Sequence, residues 1–212
     1  MKLLLVEDRI SRMEQFSNID ISKIANIDII TDKPFDNLIL ELDQKKHEVF
    51  DKYDCLMIHR SALTNLQRDI VKNHCELKNK PLVFFSGGIT ASLYNDKRFS
   101  FLNINSKDFY SPNFKLFTDE INASSKINLL TLQFGAKWKL NLLLSLRNEV
   151  NTRIQLSTIK RVRDLQINNM IKNELVEYFD LAWLKAGDLT EITESQVHIF
   201  YNKLNLLISE SV

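Results

Sequence analysis

Two adjacent acids, Glu7 and Asp8, close the apolar run Leu3–Val6. A short continuous apolar run reads as a buried strand. In an open α/β sheet, the carboxyl ends of the strands carry the site. A carboxylate pair there suits a hard divalent cation, which prefers oxygen ligands. Glu7 and Asp8 are therefore the candidate ligands for a divalent cation; they equally suit a solvated strand end and the cap of the next helix. Other candidates close other apolar runs. His59, with Arg60 and Ser61 behind it, follows Tyr53–Ile58, and Ser86-Gly87-Gly88 follows Leu82–Phe85. His59 could titrate near neutral pH or accept a phosphoryl group, although a lone histidine at a strand end is more often a hydrogen-bonded structural residue. The two glycines could let backbone N–H groups cradle an anion, and they equally suit a tight turn.

The elements that must position these residues alternate over residues 1–124. Strands are expected at Leu3–Val6, Ile27–Thr31, Tyr53–Ile58, Leu82–Phe85 and Phe101–Asn105. Arg9–Phe16 can form a helix with Ile10, Met13 and Phe16 on one side. Asp36 can cap a helix carrying Leu38, Leu42 and Val49. Thr64-Asn65-Leu66-Gln67 fits a capping box that opens a helix through about Leu77. After Gly88 the rhythm weakens, with one short helical turn over Thr90–Tyr94 and a further helix over Phe114–Ile121. Apolar runs without alternation imply a sheet covered on both faces. Strand and helix in turn imply parallel strands joined by right-handed crossovers. The expected fold is thus a doubly wound α/β sheet of five parallel strands.

The polar stretch 122–126 marks the expected end of this domain, at 124. Residues 125–212 read as a helical hairpin or bundle. Leu130, Phe134, Trp138, Leu142, Leu146, Val150 and Ile154 recur at every fourth position, an apolar helical stripe that Gly135 kinks or splits. A second helix fits Thr158 to about Lys185, stopped by Gly187. Thr193-Glu194-Ser195-Gln196 fits another capping box, ahead of Val197, Phe200, Tyr201, Leu204 and Ile208 on one face. These stripes must be covered, so Trp138, Leu142, Leu146 and Val150 are the candidate surface for a partner protein or a second copy.

Composition narrows the classes. A net charge of +1 gives no strong pull toward nucleic acid or membrane. The basic cluster Lys160-Arg161-Val162-Arg163, with Arg147 and Arg153, is spread around helical faces and reads as solvated surface. Cys55 and Cys75 lack metal-ligand spacing and form no secreted-type framework. No apolar run approaches the ~20 residues of a membrane span, and the N-terminus lacks the features of a signal peptide. A cytoplasmic location is the expectation. There is no Walker loop and no dinucleotide fingerprint.

In order and spacing these features resemble the receiver domain of response regulators, across residues 1–121. Lys2–Asp8 is similar to its opening strand and acid pair, Tyr53–His59 to its third strand, and Pro81–Gly87 to its fourth. Lys107-Asp108-Phe109 is similar to the Lys-Pro-Phe after the fifth strand, with Asp108 in place of proline; Ser111-Pro112 is an alternative match that keeps the proline and loses the lysine. The resemblance implies a flavodoxin-like sheet with a pocket of Glu7, Asp8, His59, Ser86, Gly87 and Lys107. In the family two acids hold Mg²⁺, an aspartate ending the third strand takes the phosphoryl group, and the hydroxyl and lysine bind its oxygens. Here His59 stands where that aspartate is required. Histidine cannot form the acyl phosphate, and a neutral imidazole is a poor Mg²⁺ ligand. The segment between the fourth and fifth strands is also short for a full fourth helix.

The expectation is therefore a pseudo-receiver: a non-catalytic signalling or regulatory protein acting through protein contacts, with no catalytic residue and no required cofactor. Two other classes compete with it. A transcription regulator with a divergent helical DNA-binding output would bind duplex DNA with steep salt dependence. An Mg²⁺-dependent phosphoryl-transfer or hydrolytic enzyme would lose turnover when Glu7 or Asp8 is changed.

Overall fold

Buried apolar strands cannot leave their N–H and C=O groups unpaired, so the expected runs assemble into one sheet. The computed structural model of this chain describes residues 1–16, 21, 24–89, 93–95, 99–155 and 194–211. It forms two compact units, 1–136 and 137–212. In the first, the strands are β1 (Leu3–Val6), β2 (Ile27–Ile30), β3 (Cys55–His59), β4 (Leu82–Ser86), β5 (Leu93–Asn95) and β6 (Phe101–Asn105). Their spatial order is β2-β1-β3-β4-β6-β5. Five of them run parallel, and β5 is added antiparallel on the β6 edge. Without β5 the order is the flavodoxin-like one among doubly wound sheets. The helices of this unit are α1 (Ile10–Phe16), α2 (Asp32–Asp43), α3 (Asn65–Lys78), α4 (Ser106–Phe109), α5 (Pro112–Ser124) and α6 (Leu129–Phe134).

Successive strand side chains point to opposite faces, and both faces are filled. Leu4, Val6, Leu56, Ile58, Leu82 and Phe84 join Leu38 and Leu42 of α2 and Val71 and Cys75 of α3 in one core. On the other face Phe85 stacks on Phe109, with ring centroids 4.0 Å apart, and Phe109 meets Phe114 of α5. Helices thus cover the sheet from both sides, as its apolar runs require.

The capping box forms as read. The Thr64 hydroxyl accepts from the Gln67 N–H, and the Gln67 side chain accepts from the Thr64 N–H. Asn79 in the left-handed conformation then ends α3. Thr64→Ala is expected to lower stability by about 1 kcal/mol in urea unfolding, with Thr64→Ser restoring most of it.

Four local expectations are corrected. α2 begins at Asp32, not after Asp36, because Pro34 sits in the first turn, where no N–H is needed. Val49 lies outside α2, in a separate single turn of 3-10 helix. Ile10 is exposed, and α1 is anchored instead by the buried Met13. Leu93 and Tyr94 belong to β5 rather than to a helical turn, pairing with Asn103 and Leu102; Thr90 lies outside the described residues. An edge strand satisfies the open side of β6, which a single helical turn would leave unpaired.

The first unit continues past the polar stretch 122–126, because Leu129, Leu130 and Leu132 of α6 are buried. Gly135 splits the apolar stripe. Its φ is +76°, and a Cβ there would lie 2.8 Å from Asn113 Oδ1, so only glycine fits.

In the second unit α7 (Trp138–Gln155) packs against α8 (Glu194–Glu210). Trp138, Leu142, Leu146 and Val150 are buried within the single chain. Leu204 and Ile208 are buried in α8. The expected helix from Thr158 to Lys185, Gly187, Thr193 and the basic run 160–163 lie outside the described residues. Among the described residues no helix is long and apolar enough to cross a membrane.

Candidate functional site

Parallel register brings the first candidates together. Leu5 pairs with Met57, and His59 pairs with Phe85. Two residues further along β1 and β3, on the same face, stand Glu7 and His59. The Glu7 N–H donates to the Ile30 carbonyl, which carries the ladder one step past β1. Glu7 is fully buried, and His59 is nearly so. Asp8 remains partly open, and its Oδ1 lies 3.5 Å from His59 Nδ1.

Arg12, one turn into α1, reaches back over all three. Its Nη1 lies 2.8 Å from Asp8 Oδ1, 3.3 Å from Glu7 Oε1 and 3.0 Å from His59 Nδ1. The same nitrogen donates to Ser61 Oγ at 3.1 Å. From the far end of the unit, the buried Tyr110 hydroxyl donates to Glu7 Oε2 at 3.0 Å. Tyr110 is held there by the turn between α4 and α5 and by its edge contact with Phe85. Phe85 meets the His59 ring edge-on as well, at 5.2 Å between centroids.

Burial sets the electrostatics. It pushes the Glu7 carboxyl up to about 7, and the neighbouring Asp8 adds to the rise. Hydrogen bonds from Tyr110 and the Arg9 N–H oppose it by favouring the carboxylate. Burial, aided by the Arg12 charge, pushes His59 down to about 4 against the pull of Asp8. The imidazole is therefore neutral at physiological pH. Its Nδ1 accepts from the Ser61 N–H, which assigns the ring proton to Nε2. Burial and the nearby Glu7 carboxylate also raise the Tyr110 phenol, which stays protonated as a donor.

This geometry limits the chemistry. Ser61 Oγ, 2.8 Å from His59 Nδ1, and Asp8 Oδ1 both face the same ring nitrogen. A nucleophile–base–acid relay needs them on opposite nitrogens. The donor set of two carboxylates and one imidazole suits Mg²⁺ less well than an ion that accepts nitrogen ligands. An imidazole stands where the third carboxylate would be.

The expected pocket has three further members, Ser86, Gly87 and Lys107. The Ser86 hydroxyl accepts from the Gly88 N–H and serves the turn after β4. Asn105 Nδ2 donates to the carbonyls of Ile89 and Gly87 and ties that turn to the end of β6. Gly87 belongs to this turn, and a Cβ on it would meet nothing within 4 Å. Lys107 is exposed on α4 and makes no ion pair with Glu7 or Asp8. The alternative pair Ser111-Pro112 instead caps and opens α5.

Arg12, Ser61 and Tyr110 are site residues that the motifs miss. The spacing of Asp8 and Arg12, four residues apart, was the available signal for the arginine. Tyr110 had none, since it stands 103 positions from Glu7. Compared with protein-family models, with curated proteins and with solved structures, the chain matches none of them.

Proposed function

We propose that this chain is a receiver-like regulatory protein that works through protein contacts and takes no phosphoryl group on an aspartate. The observation that carries the reading is the Arg12 guanidinium seated on Glu7, Asp8 and His59. Phosphoryl transfer needs a positive charge free to meet the incoming oxygens and a nucleophile in line with phosphorus. Here the positive charge is committed to the chain's own acids, and β3 ends in an imidazole whose Nδ1 is bonded to Ser61. The order of the parallel strands and the acid pair closing β1 support the receiver-like part of the reading. The exposed Leu66 and Leu77 on α3 offer apolar surface for a partner.

The test is phosphorylation of the full chain by a small donor such as acetyl phosphate or phosphoramidate, with Mg²⁺, read by intact mass. No phosphoryl group should appear. A phosphoryl group mapped to His59 or to either acid would overturn the reading.

A further inference from the structure

Three donors of mixed chemistry converge on one point in this protein, and a positively charged nitrogen already sits there. Ligand atoms of Glu7, Asp8 and His59 lie within 4.8 Å of one another. Arg12 Nη1 is 2.8–3.3 Å from an atom of each. We propose that this cluster is a binding site for a borderline divalent cation of the Zn²⁺ class, with the Arg12 guanidinium as the built-in competitor that such an ion displaces.

Ligand chemistry selects the ion. Two carboxylates and one imidazole make a nitrogen–oxygen set, which suits Zn²⁺, Co²⁺ or Ni²⁺ and disfavours the oxygen-seeking Mg²⁺. Zinc–ligand bonds of about 2.0–2.2 Å are shorter than the present contacts to Nη1, so the three side chains must draw inward by roughly 1 Å. They are placed for that. Glu7 and His59 stand side by side on adjacent strands, and Phe85 supports the imidazole from behind. Three protein ligands leave a fourth position open, toward Ser61. Arg12 has a way out, because its side chain is 23% exposed while Glu7 is fully buried. A dication also balances the two acids more completely than one guanidinium does. The proposal shares the Arg12 contacts with the regulatory reading, but metal binding requires neither a phosphoryl group nor a partner.

The experiment titrates the full chain with Zn²⁺ by calorimetry and with Co²⁺ by visible absorption, which separates imidazole–carboxylate from thiolate ligation. One equivalent should bind, with no thiolate charge-transfer band from Cys55 or Cys75. Mg²⁺ should not compete at equal concentration. His59→Ala and Glu7→Gln should each weaken Zn²⁺ by roughly tenfold or more, and Arg12→Gln should tighten it by about tenfold. Circular dichroism establishes which variants remain folded. Should Arg12→Gln not fold, the wild-type Co²⁺ spectrum and the His59→Ala comparison still decide. No Zn²⁺ binding to the wild type, binding indifferent to His59→Ala, or a preference for Mg²⁺ would each overturn the proposal. Acetyl phosphate labelling with Mg²⁺ and without Zn²⁺ tests the regulatory reading separately.

Discussion

Phe85→Ala is expected to lower the stability of the first unit by about 3–5 kcal/mol, as complete removal of a buried aromatic ring does. Phe85 is fully buried, and its ring lies parallel to Phe109 at 4.0 Å between centroids. Its truncation would open a cavity between the sheet and α4. Phe109 and Phe114 are themselves fixed by packing. The same ring supports His59 and Tyr110 edge-on, so the loss should extend to the site. Urea denaturation followed by circular dichroism measures the effect. Phe85→Leu, which keeps most of the volume, should cost markedly less. A Phe85→Ala change below about 1 kcal/mol would mean that the aromatic layer does not act as a core of this unit.

The second large effect is a pair of opposite pH dependences. Glu7 is raised from 4.5 to about 7 in the folded chain, so between those values the native state binds more protons than the unfolded chain. Its contribution is fully present below 4.5 and is lost as pH rises through 7. His59 is lowered from 6.5 to about 4, so in that window the unfolded chain binds the extra proton. Its contribution is present above 6.5 and is lost as pH falls through 4. Neither group is among the causes of the other's shift. In the wild type the two dependences therefore largely cancel across the acidic range.

Single variants should uncover them. In its own pH profile, Glu7→Gln is expected to become more stable as pH rises from about 4 to 6.5, by roughly 3 kcal/mol. His59→Asn should show the reverse, losing roughly 3 kcal/mol as pH rises from 4.5 to about 7. Urea midpoints of the three chains across this range measure it. Parallel profiles for both variants would sink the assignment of these two groups.

Legibility from the residue string followed the range of the interaction. The capping box at Thr64 is a contact between residues three apart, and it formed as read. The strand Phe101–Asn105 was marked by a run bounded by polar residues, and it formed with the expected ends. The start of α2 was misplaced because Asp36 is a good cap by type, while Pro34 is compatible with a first turn that begins earlier. β5 was missed because an edge strand of three residues carries no periodic signal, and its partner decides it. The stripe of Trp138, Leu142, Leu146 and Val150 was read correctly as apolar. That it is covered within one chain was not readable, because burial depends on what packs against it.

For the site, local sequence placed Glu7 and Asp8 at the end of β1 and put His59 at the end of β3. It thereby specified the donor types, since residue identity alone makes the third donor an imidazole rather than a carboxylate. Tertiary structure decided how those donors are used. Parallel register set Glu7 beside His59. The return of the chain after β6 brought Tyr110 onto Glu7, and the position of α1 placed Arg12 over all three. The physical reason is that a carboxylate's charge, its proton and its partners depend on burial and on groups remote in the chain.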